Sequence, residues 1–140
     1  MKRLAVLVAA ASALSSATLL ANARNDAKSQ VELGISVAQR GLWREAIYRW
    51  EKATEIDPTY AAAHNNLAIA YEHEGQLEKA RKAYEKGLEI DPNHGAALES
   101  LAHVRAATGD ALAALSAIES LAERADKPEG RADLWIRAAK

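Results

Sequence analysis

An all-α helical-repeat solenoid is the fold class this sequence predicts, and three observations predict it. The first is a period: Gly41, Gly75 and Gly109 stand 34 residues apart, and each is followed five residues later by alanine, at Ala46, Ala80 and Ala114. The second is a set of independent markers on that period. Ile56-Asp57-Pro58 recurs 34 residues on as Ile90-Asp91-Pro92, and Leu33, Leu67 and Leu101 keep the same interval, as do Gly34, Ala68 and Ala102. Self-similarity at such a spacing marks stacked supersecondary units. The third is composition. Hydrophobic residues make up 49% of the chain but aromatics only 5%, with no Phe, so alanine carries much of the apolar content. That balance favours closely packed helices over a sandwich or barrel.

The chain begins with an address. Lys2 and Arg3 precede an uncharged stretch from Leu4 to Ala21, and Ala21-Asn22-Ala23 has the small-x-small form of a signal-peptidase site. The sequence therefore predicts a signal peptide over 1–23, cut after Ala23, and a mature domain over 24–140. The expected location is periplasmic or secreted. An uncleaved membrane anchor is the alternative. Ser12, Ser15, Ser16 and Thr18 interrupt the stretch and weigh against it. Cleavage would remove two cations and no anions, taking the formal net charge from −1 to −3.

Three units follow, at 27–60, 61–94 and 95–128, each reading as two helices. In the middle unit His64, Leu67, Ala68 and Tyr71 share one helical face at i, i+3, i+4, i+7 spacing. Gly75 ends that helix as a residue that accepts positive φ. The second helix turns Leu77, Ala80, Tyr84 and Leu88 inward and stops before Asp91-Pro92, because proline disfavours the α region for the residue ahead of it. Small residues at 68 and 80 let the two backbones approach closely.

These residues resemble the tetratricopeptide-repeat family, whose pattern is W-x-x-L-G-x-x-Y, then A-x-x-x-F, then P. The first unit matches with Gln30, Leu33, Gly34, Val37, Ala46, Trp50 and Pro58, and the second with His64, Leu67, Ala68, Tyr71, Ala80, Tyr84 and Pro92. The third has Leu98, Leu101, Ala102, Ala114 and Ile118. It departs from the pattern at Arg105, where an aromatic is usual, and at Asp126, where proline is usual. Ala132, Trp135, Ile136 and Ala139 continue the register, so residues 129–140 are expected to form a helix capping the open edge.

Chemistry is scarce. No glycine-rich phosphate loop, nucleophile elbow or H-E-x-x-H is present, and cysteine is absent, which excludes disulfides, thiol nucleophiles and thiolate metal sites. A net charge of −1 provides no basic field for nucleic acid. Neither an enzyme nor a cofactor is expected. His73 and His103, with Glu72 and Glu99 nearby, leave open a metal- or small-ligand-binding alternative, although their spacing is not that of a closed site.

The resemblance implies a protein or peptide partner bound on the concave face lined by the first helices. Helical spacing assigns Ile35 and Gln39 to that face in the first unit, Asn65, Asn66, Ile69 and His73 in the second, and Glu99 and His103 in the third. The amides can pair with an extended peptide backbone. Some family members capture a C-terminal carboxylate here with basic residues. Lys28 is the only cation assigned to this face, and Glu32 and Glu99 oppose that mode. Trp43 is expected to staple the first turn of its helix, and His94 to be solvated. The function expected is a scaffold or adaptor in a bacterial envelope, or the same scaffold held by an uncleaved anchor.

Overall fold

Each predicted unit takes the form of two helices joined by a tight glycine turn. The computed structural model describes residues 2–124, with side chains from residue 16 onward except at 111, 117 and 120–124. The helices are α1 (Lys2–Ala38), α2 (Trp43–Ile56), α3 (Ala61–His73), α4 (Leu77–Ile90), α5 (Gly95–Ala107) and α6 (Ala111–Arg124). The expected capping helix at 129–140 and the end of the third unit lie outside the described residues. Successive helices pack on one another, and α1 also packs on α3, which sets these two first helices side by side.

Helix α1 is longer than the first unit requires. No proline or glycine occurs before Gly34, so the alanine- and leucine-rich N-terminal segment runs through Ala23 into the unit without a break. Side chains 16–22 are exposed, and Ala27 is the first residue with no exposure at all.

The turns explain the period. Gly41, Gly75 and Gly109 have φ of 76°, 71° and 86°, a region that costs residues with a Cβ. Each follows a helix end closed in the same way. Leu42 N–H donates to Val37 O (3.1 Å), Gln76 to Tyr71 O (2.8 Å) and Asp110 to Arg105 O (2.9 Å), the six-to-one bond of a Schellman motif. The second helices stop where Asp57 and Asp91 turn extended ahead of proline.

Small side chains hold each pair together. Ala46, Ala68 and Ala80 are fully buried, and Ala102 and Ala114 nearly so. At Gly34 the requirement is strictest, because an added Cβ would lie 2.3 Å from Trp50 Nε1. The indole lies against bare backbone there, and its Nε1–H donates to Val31 O at 3.1 Å. The second unit pairs Ala68 with the smaller Tyr84 ring instead.

Neighbouring units are joined by a bond at one repeated pair of positions. Tyr71 hydroxyl on α3 donates to Glu51 on α2 (2.6 Å), and Arg105 on α5 donates to Glu85 on α4 (3.0 Å). Arg105 thus replaces the family aromatic without losing the link, since both residues bring a donor to a glutamate 20 positions earlier. Burial raises Glu85, but the Arg105 and Arg81 guanidiniums outweigh it and hold the carboxyl below its usual range. Within the second unit Tyr84 donates to Glu72 (3.1 Å). Burial, with the Glu72 charge nearby, pushes the Tyr84 phenol up to about 12.

Leu33, Leu67 and Leu101 occupy one register position but have different surroundings. Leu67 and Leu101 are 7% and 4% exposed, whereas Leu33 is 48% exposed. Leu67→Ala should therefore cost about 2–5 kcal/mol, and Leu33→Ala less than about 1 kcal/mol. Chemical denaturation of the two variants measures both; equal losses would mean that the exposed edge is covered.

Candidate partner-binding groove

Between α1 and α3 runs a shallow groove of about 350 Å³, bounded by Ile35, Ala38 and Gln39 from α1, Trp43 and Trp50 from α2, and Asn66 and Ile69 from α3. The lining is chiefly apolar. Ile35 and Ile69, one from each first helix, remain 40% and 39% exposed, which leaves an aliphatic stripe open to solvent. Gln39 is exposed and Asn66 half-buried, so two side-chain amides stand at the stripe's margin. Four of the residues assigned to this face from sequence, Ile35, Gln39, Asn66 and Ile69, therefore meet in one place.

His73 is exposed beside the groove, one helical turn beyond Ile69. Its ring stacks on the Trp43 indole, centroids 3.8 Å apart and planes 10° from parallel. Trp43 is thus a wall of the groove rather than a staple within its own helix. It also borders a wider hollow of about 710 Å³ at the α1–α2 turn, where Arg44 faces Glu74 at 3.4 Å. Glu99 and His103 are exposed on α5 but do not line the groove. Among the described residues no three His, Cys, Asp or Glu side chains converge as metal ligands. His94, expected to be solvated, is exposed but caps α5, its Nδ1 accepting from Ala97 N–H at 3.1 Å. His64 Nε2 lies 2.9 Å from Pro58 O, tying α3 to the turn before it.

Asn65 requires a correction. It is only 5% exposed, and neither its Oδ1 nor its Nδ2 has a hydrogen-bond partner among the described residues. The amide faces Gly87 on α4, where an added Cβ would lie 2.0 Å from Oδ1. It is an interior residue, not a groove residue. The first unit shows why: the equivalent positions hold Val31 and Ala53, 4% and 0% exposed. Gly87 gives the larger polar group the room that Ala53 does not need to give Val31.

The tetratricopeptide-repeat model matches residues 61–94, and a second repeat model of the same family matches 36–74. Residues 36–94 of this chain are tetratricopeptide repeats. No curated protein matches it by sequence. Among solved structures it is similar to the MamA protein, at 26% identity and a TM-score of 0.67 over 70% of this chain; it spans about half, 54%, of that one. The second tetratricopeptide-repeat domain of human RPAP3, in complex with an HSP70 peptide, has a TM-score of 0.75 at 19% identity, covering 84% of this chain and 98% of that. The Yersinia enterocolitica type III secretion chaperone SycD, with a peptide of the translocator YopD, has a TM-score of 0.70 at 20% identity, covering 80% and 86%. These last two share the fold with this repeat protein.

The sequence reading missed two features of the site. It did not foresee the Trp43–His73 stack, which joins residues on helices of different units. It also took Asn65 for a surface amide. The signal for the second was available, because the 34-residue register aligns Asn65 with Val31 and Gly87 with Ala53. Gly87→Ala alone should destabilise the protein by about 1–3 kcal/mol through overpacking. Asn65→Val combined with Gly87→Ala rebuilds the first unit's pair and should exceed wild-type stability, since leaving buried polar groups unpaired costs about 1–3 kcal/mol. Thermal melts decide it, and a double variant less stable than Gly87→Ala alone would show that the Asn65 amide has a partner in solution.

Proposed function

We propose that this protein is a non-catalytic interaction scaffold that holds an extended peptide segment of a protein partner in the α1–α3 groove. The observation that carries this reading is the solvent-exposed Ile35–Ile69 stripe with the Gln39 and Asn66 amides at its margin. An apolar side chain gains by leaving water there, while an amide can both donate to and accept from a strand-like backbone. The peptides named with RPAP3 and SycD, proteins of this fold, support it. Ile69→Glu with Asn66→Ala should leave melting nearly unchanged, within about 0.5 kcal/mol for surface sites. The same variant should lose the partner recovered by crosslinking to wild-type protein. Undiminished capture, or early melting, would remove the groove from consideration.

The location proposed with this function is the periplasm or envelope of a bacterium, after cleavage at Ala23. Support comes from the leader pattern together with the place where the fold takes hold of the chain. Side chains 16–22 are exposed, whereas Arg24 pairs with Asp57, donates to Thr59 Oγ1 at 3.0 Å and lies 4.8 Å from the Tyr60 ring centroid. Burial raises the Asp57 carboxyl, but the Thr59 bonds and the Arg24 charge outweigh it and hold it below its usual range. The mature protein should begin at Arg24 when the N-terminus is sequenced from the native envelope. An intact Met1 on functional protein would establish the anchored form instead.

A further inference from the structure

We infer that the groove selects an internal, extended segment in which one aliphatic side chain lies within two or three residues of a lysine or arginine, and disfavours acidic chain ends. This rests on the groove being the binding site and adds the chemistry of what it takes. Two observations carry it. The first is the shape and lining of the hollow: about 350 Å³, walled by Ile35, Ala38, Trp43 and Ile69, with no charged side chain among its lining residues. A space of that size and polarity suits one leucine, isoleucine or methionine side chain and costs a charged one its hydration.

The second is the sign of charge beside the hollow. Glu72 lies on α3 one turn from Ile69, half-buried. Residues three apart on a helix are surface neighbours, so a side chain leaving the Ile69 wall meets the Glu72 carboxylate next. On the other side, Lys28 already faces Glu32 at 4.0 Å, so that end adds no net positive charge. An extended chain advances about 3.3 Å per residue, which places a cation two or three residues from the aliphatic anchor within reach of Glu72. A partner's C-terminal carboxylate or an acidic run would meet like charge in the same place, with no cation at the stripe to receive it. Tyr84 hydroxyl already donates to one Glu72 oxygen, which holds that carboxylate in position.

The test is selection of random dodecapeptides displayed with both free and blocked C-termini on the folded protein, with Ile69→Glu run in parallel. The expected result is enrichment of peptides pairing an aliphatic residue with a nearby Lys or Arg, lost on Ile69→Glu and indifferent to blocking of the C-terminus. A synthetic peptide from that pool should bind Glu72→Gln about two- to five-fold more weakly, the range for a solvent-exposed ion pair, with the difference shrinking in high salt. Enrichment of acidic peptides, or of peptides needing a free carboxylate, still lost on Ile69→Glu, would overturn the selectivity and leave the groove as the site. Enrichment unaffected by Ile69→Glu would overturn both.

Discussion

Close approach of two helices in each unit is the constraint on which everything else in this protein depends. The chain has few aromatics and no Phe, so it cannot fill wide gaps between elements. It brings backbones together instead, over Gly34, Ala46, Ala68, Ala80, Ala102 and Ala114. Wherever a large ring enters the seam, the facing position shrinks to match: glycine under Trp50, alanine opposite Tyr84. Interior packing tolerates little slack, so these are linked choices rather than separate ones. The glycine turns complete the constraint. A left-handed residue closes each first helix with the same bonding pattern, so each unit folds back through the same kind of turn. The groove between α1 and α3 is a product of that regularity.

The inner faces also show where regularity is relaxed. One register position holds Val31, Asn65 and Glu99 in the three units, and their environments run from apolar interior through a buried, unpaired amide to open surface. Glycine at 87 accommodates the middle case. A buried amide without partners is a stability cost in a small domain, and in this protein it sits one residue from Asn66 at the groove's edge. The site is thus built on the part of the core that is least economically packed.

Much of the fold was legible because its signals repeat. The period, the turn glycines, the Asp-Pro stops and the small seam residues each appear two or three times, and any one occurrence checks the others. Four groove residues were legible for the same reason: helical spacing alone separates Ile69 from Leu67. The failures came where a contact crosses between helices. Nothing in the spacing of Trp43 indicates that its indole meets His73 on α3, because that depends on how two units stack. Glu51, Glu72 and Glu85 each accept a bond from another helix, which spacing within a single helix does not reveal. Leu33 looked equivalent to Leu67 and Leu101, yet it is half-exposed where they are buried.

The exchange of tyrosine for arginine between the two unit junctions makes them answer differently to the medium. At the first junction the donor is a neutral phenol, so its bond is not an ion pair. The second junction depends on charge. Its contribution is present above the ordinary glutamate range and fades as the pH falls through the lowered value of Glu85, and dissolved ions weaken it as well. In a linear array each unit rests only on its neighbours, so acid or brine weakens what ties the third unit to the second. The first two units, which carry the groove, meet instead through the Tyr71–Glu51 bond.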